Sequence, residues 1–172
     1  MTGKFLPFLA MTLFFTTIGH SQQKAESFPE DFLGIYKGKL TIRSDGKDPV
    51  NISMEFHLLQ TDTTDHYRYR LIYSDQPRNH TLIVDDVEKG LFRLDENNGI
   101  ILPVRLIDNV LHSFFEVEGK LLTSRLAFYK SQIEFEILVT DIAGKTRTGE
   151  DTDYKIYGYE ISTSQKALLK KQ

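Results

Sequence analysis

The chain has 172 residues, with 21 Lys+Arg against 24 Asp+Glu for a formal charge of −3, and it contains no cysteine. Disulfides, thiolate metal sites and cysteine nucleophiles are therefore excluded, and composition supplies no broad basic surface for nucleic acid. With 40% apolar and 12% aromatic residues it can build one core, so a single domain is expected and a long disordered tract is not.

Lys4 precedes an apolar run over residues 5–15, which gives way to polar sequence near His20. A positive start, an apolar middle and a small-residue exit make the order of a secretory leader, with Gly19 and Ser21 as the small residues of a cleavage before Gln22. The run is short for a membrane span and no basic flank stops it, so release is expected rather than a stable membrane anchor. The mature protein is then secreted or periplasmic. Residues 1–21 are read as the signal peptide, 22–33 as a short N-terminal segment and 34–172 as the folded domain.

Ser27 and Glu30 have the spacing of a capped helical turn, and Phe32 and Leu33 give that turn an apolar side to lay on a core. Residues 34–42 read as the first strand, with Gly34 at its entrance. Ile52, Met54, Phe56 and Leu58 alternate with polar residues, as do Tyr67, Tyr69, Leu71 and Tyr73, so period two places each set on one face. Further strands begin at Leu82 and Leu91. Ile100, Leu102, Val104 and Leu106 share a face, and Asp108-Asn109 closes a tight hairpin onto residues 110–117. Leu122, Ser124, Leu126 and Phe128 form one face of the next strand. After a reversal at Lys130-Ser131, Ile133, Phe135, Ile137 and Val139 form another. Pro103 lacks an amide donor and predicts a bulge or a local edge.

Connections of a few residues cannot carry the crossover that parallel pairing needs, so the strands pair antiparallel in sequence. Residues 141–153 are the long polar connection of this half, expected to be mobile or to fold over a rim. Residues 154–161 read as one more strand. Residues 165–170 have helical propensity but are read as a closing strand, because an exposed last edge needs protection. The expected fold is all-β: a single antiparallel up-and-down barrel of about 8–10 strands with a short helical plug at its N-terminus.

Gly34-Ile35-Tyr36, followed by Gly38 and closely spaced antiparallel strands, resembles the calycin or lipocalin-like class of barrels. Those families place a Gly-x-Trp pattern on the first strand after a short helical turn; Gly34 matches the glycine and Tyr36 stands where the tryptophan would be. The resemblance covers about residues 28–171 and implies a small apolar ligand inside the barrel. A related group of haem-binding ten-stranded barrels uses a histidine near the C-terminus; here no histidine follows His112, so neither haem nor any other cofactor is expected.

Tyr36, Tyr67, Tyr69 and Tyr73 are the candidate ligand-binding residues, an aromatic wall with polar tips that suits an amphipathic or ring-bearing molecule. Phe56, Phe115, Phe128 and Phe135 fall on apolar faces and either narrow the cavity or fill it. Glu55, His57 and His66 are the nearest approach to a catalytic or zinc cluster, yet the motifs of zinc hydrolases, serine hydrolases and phosphate-binding loops are absent. Asp85, Asp86 and Glu88, and Glu150, Asp151 and Asp153, are oxygen-rich but lack the spacing of a calcium loop. Arg68 and Arg70 offer a small basic face for an anionic glycan or lipid headgroup. The leading reading is an exported, non-enzymatic barrel that binds a small hydrophobic or amphipathic ligand. The alternatives are a secreted interaction or inhibitor module with a filled barrel, and a hydrolytic enzyme.

Overall fold

The computed structural model describes residues 27–172. The expected leader, and the first part of the segment behind it, lie outside the described residues. A 3-10 turn at Glu30–Phe32 leads into β1 (Gly34–Ser44). The wall continues through β2 (Val50–Gln60), β3 (His66–Tyr73), β4 (Gln76–Asp86), β5 (Leu91–Asp95), β6 (Ile101–Ile107), β7 (Val110–Val117), β8 (Lys120–Tyr129) and β9 (Gln132–Asp141). Two short strands, β10 (Thr146–Thr148) and β11 (Ile156–Gly158), pair only with each other, and β12 (Ile161–Lys171) returns to the wall.

β12 lies between β9 and β1, antiparallel to both, and its register with β1 runs from Tyr36↔Lys171 to Ser44↔Thr163. That closure makes ten strands into a barrel with no free outer edge. Residues 165–170 are therefore strand, as the need for edge protection predicts. The Asp108-Asn109 reversal falls as expected, with Asp108 at φ 52°, and Glu118-Gly119 turns at φ 48° and 74°.

Two local expectations change, and that for Pro103 is met in one of its two forms. Residues 154–161 do not form one wall strand: β12 meets β9 at Ile161↔Thr140, one residue from the end of β9, so the chain before it overshoots the wall. It pairs instead with Thr146–Thr148, and every residue of those two short strands is exposed. The long connection thus carries an exposed two-stranded hairpin of its own, outside the wall ladder. Ser27 and Glu30 do not cap each other across so short a turn; Asp31 Oδ2 accepts the Ser27 amide at 2.7 Å. Pro103 causes no bulge against β5, where Arg93↔Pro103 sits in an unbroken register; the register shifts lie at Val84/Asp86 and Ile161/Thr163. On its other side Pro103 does create a local edge.

The plug end of the barrel is solid. Phe28, Pro29 and Phe32 are buried inside it, with Phe28 against Phe128 at 4.9 Å between ring centroids and Phe92 at 5.4 Å, and Phe32 against Phe128 at 5.5 Å. Phe56 extends the cluster to Tyr69 at 4.8 Å. These tilted and edge-on rings fill the bore beneath β1, β2, β5 and β8.

Candidate ligand cavity

Above the aromatic plug the barrel is hollow. A cavity of about 570 Å³ occupies the half toward the β1–β2, β3–β4 and β7–β8 turns. Period two explains its lining: inward positions of every wall strand contribute, and most are aliphatic, such as Leu40, Ile52, Leu71, Val104, Leu126 and Ile137. The hollow exists because some inward side chains are small. Ser113 and Ser124 face each other across β7 and β8, two hydroxymethyl groups where the plug layer has phenylalanines. The bore is thus neither empty throughout nor packed from wall to wall.

Polar groups concentrate on one side. Tyr69 and Tyr73 of β3, Gln76, Arg78 and His80 of β4, and Glu96 just beyond β5 line adjoining strands, whereas the β6–β9 side adds only the two serines. Arg78 lies over the Tyr73 ring at 6.0 Å and is exposed at the mouth. His80 lies deeper, its ring 6.2 Å from Tyr69, and its Nδ1 is buried without a hydrogen-bond partner among the described residues. Burial holds His80 below the ordinary histidine value, so the ring is neutral at neutral pH. Burial likewise raises both tyrosines: Tyr73 is pushed up to about 12, and Tyr69, with Tyr73 beside it, is also pushed well above a free phenol. Both hydroxyls stay protonated and can donate.

The four candidate tyrosines separate into two pairs. Tyr69 and Tyr73 line the cavity. Tyr36 and Tyr67 stand at the plug: Tyr36 Oη donates to the Phe32 carbonyl at 2.6 Å, and Tyr67 Oη donates to Glu30 Oε1. Desolvation raises Tyr36 to about 12; Tyr67 rises to about 12 through desolvation and then its bond to Glu30. Both hydroxyls are committed to holding the turn. Phe56 and Phe128 also belong to the plug, while Phe115 and Phe135 line the cavity. Sequence reading missed the Gln76, Arg78 and His80 strip. Its signal was present, since counting back by twos from Leu82 puts all three on the inward face.

The remaining candidates are held in separate contacts. Glu55 accepts from Lys37 Nζ at 2.8 Å and contacts His57 Nε2 at 2.9 Å; these bonds, Lys37 first, hold its carboxyl below the ordinary range. His66 Nδ1 instead contacts the Thr64 carbonyl at 2.8 Å, so the three-residue cluster does not form. Asp85 pairs with Arg93 and Asp86 with Lys89, and among the described residues no group of three or more His, Asp or Glu side chains is placed to hold a metal. Arg68 is exposed on the outer face, and Arg70 Nε is buried beside it without a partner among the described residues.

Neither a family model nor a curated protein matches the sequence. Solved structures do. A protein of unknown function from the DUF3598 family of Nostoc punctiforme matches 83% of this chain with a TM-score of 0.62 at 12% identity. This chain spans about half of that protein, 48% of its length. An S-type phycobiliprotein lyase from Guillardia theta matches 83% of this chain and 89% of its own, with a TM-score of 0.54 at 7% identity. The likeness is one of fold.

Proposed function

We propose that this chain is an exported, non-enzymatic barrel of the calycin class that holds a small amphipathic molecule in the upper half of its bore. The observation that carries the reading is the cavity itself: about 570 Å³, floored by the aromatic plug and lined mainly by aliphatic side chains, a size in the range of small-molecule sites. Burial of the ligand's apolar face against the β6–β9 side supplies the affinity. The Tyr69 and Tyr73 hydroxyls, with Gln76, Arg78 and His80, orient its polar edge. A phycobiliprotein lyase among the proteins of similar fold supports a barrel of this shape serving a small-molecule ligand. Export rests on the leader-like order of residues 1–21.

The test is a titration with the fluorescent probe anilinonaphthalene sulfonate. The wild-type protein takes it up, and Ser124→Phe, which puts a ring where two serines face each other, weakens binding by about tenfold or more. Near-ultraviolet circular dichroism of the two proteins should agree. Equal binding by a folded Ser124→Phe protein contradicts a site in the bore. A second reading, a partner-binding module, is favoured by the β10–β11 hairpin, which exposes Tyr154, Ile156, Tyr157 and Tyr159.

A further inference from the structure

The barrel wall has a seam between β6 and β7. Their ladder consists of Arg105↔His112, Leu106↔Leu111 and Ile107↔Val110 and stops there. On their other sides the same strands remain paired to their ends at the mouth, β6 with β5 as far as Ile101 and β7 with β8 as far as Val117. Residues 101–104 and 113–117 therefore turn unpaired edges toward each other. Continuing the register would set Pro103 opposite Phe114, but Pro103 has no amide to give. The Ser113 hydroxyl spans the gap in place of the backbone, donating to the Pro103 carbonyl at 2.9 Å.

We propose that ligand enters and leaves the bore through this seam, with Leu102 and Phe115 as its inner gate. The inference rests on the reading that the cavity holds a ligand. Leu102 and Phe115 both line the cavity, and the extended register brings them face to face on the inner side. On the outer side Ile101 is 50% exposed and Phe114 63% exposed, so an apolar path runs from solvent to the bore. Parting the strands above Pro103 breaks no ladder bond. At the β8–β9 boundary, paired without interruption from Lys120↔Asp141 to Tyr129↔Gln132, the same movement would break several. The plug shuts the opposite end, so the mouth and the seam that widens it are the route left.

The absence of native cysteine makes a cross-link unambiguous. Ile101→Cys with Glu116→Cys, oxidised, ties the seam at the mouth, and stopped-flow uptake and release of anilinonaphthalene sulfonate should both slow by about tenfold with little change in Kd, reversibly on reduction. Thr123→Cys with Leu138→Cys, joining cross-strand partners in the unbroken β8–β9 ladder, should leave both rates unchanged. Pro103→Val is the independent variant: it restores an amide, extends the ladder so that the Phe114 and Glu116 amides gain hydrogen-exchange protection, and slows uptake severalfold. Unchanged rates in the oxidised seam variant, or in Pro103→Val with those amides protected, overturn the proposal while leaving the cavity reading intact. A wild-type protein that takes up no probe overturns both.

Discussion

Gly38→Ala is expected to destabilise the barrel by about 3 kcal/mol, read as a lower urea midpoint at unchanged slope. Gly38 lies on β1 between Leu169 of β12 and Met54 of β2, at the strand pair that closes the barrel. A Cβ there would sit 2.3 Å from the Leu168 carbonyl oxygen and 3.0 Å from Leu169 Cδ2. The leucine side chain can turn aside, but the carbonyl belongs to the ladder, so β1 and β12 must separate to admit one methyl group. Gly144→Ala is the comparison: its Cβ would meet nothing nearer than 3.6 Å, and the change should fall within about 0.5 kcal/mol of wild type. Equal effects at the two glycines would contradict the tight closure of β1 on β12.

Phe32→Ala should cost about 3–5 kcal/mol, the range for removing a buried aromatic ring. Phe32 is 1% exposed, packs on Phe28 and Phe128, and gives its carbonyl to the Tyr36 hydroxyl. Losing the ring removes the floor between solvent and the bore, so the damage reaches beyond one side chain. Phe114→Ala removes the same ring from the exposed outer face and should cost under about 1 kcal/mol. Similar losses in urea titrations of both variants would contradict a plug built around the N-terminal turn.

Much of the wall was legible because alternation is a local signal. Met54, Phe56 and Leu58, or Ile133 and Phe135, declare their buried face whatever their partners turn out to be. Closure was legible only indirectly, from the cost of leaving residues 165–170 as an open edge. The cavity depended on facts that alternation does not carry. Ser124 was visible as a small residue on an inward face, but that it meets Ser113 is a matter of register. Tyr36 and Tyr67 read like Tyr69 and Tyr73 because all four lie on inward faces; height along the bore, fixed by barrel shear and by where Phe32 inserts, sends two to the plug and two to the cavity. Residues 76–80 lie ahead of the strand expected to begin at Leu82, and only pairing with β3 shows Gln76, Arg78 and His80 as one side of the bore. The hairpin at residues 146–158 had no local signal separating it from a wall strand, since what excludes it is the length of β9.

The most direct measurement of the central claim is native mass spectrometry of the protein as it is expressed, before and after organic extraction, beside Ser124→Phe. A ligand held in the bore predicts a reproducible added mass of small-molecule size on the wild-type protein, lost on extraction and absent from the folded variant. A bare polypeptide mass in every wild-type preparation, or the same added mass on Ser124→Phe, would contradict it.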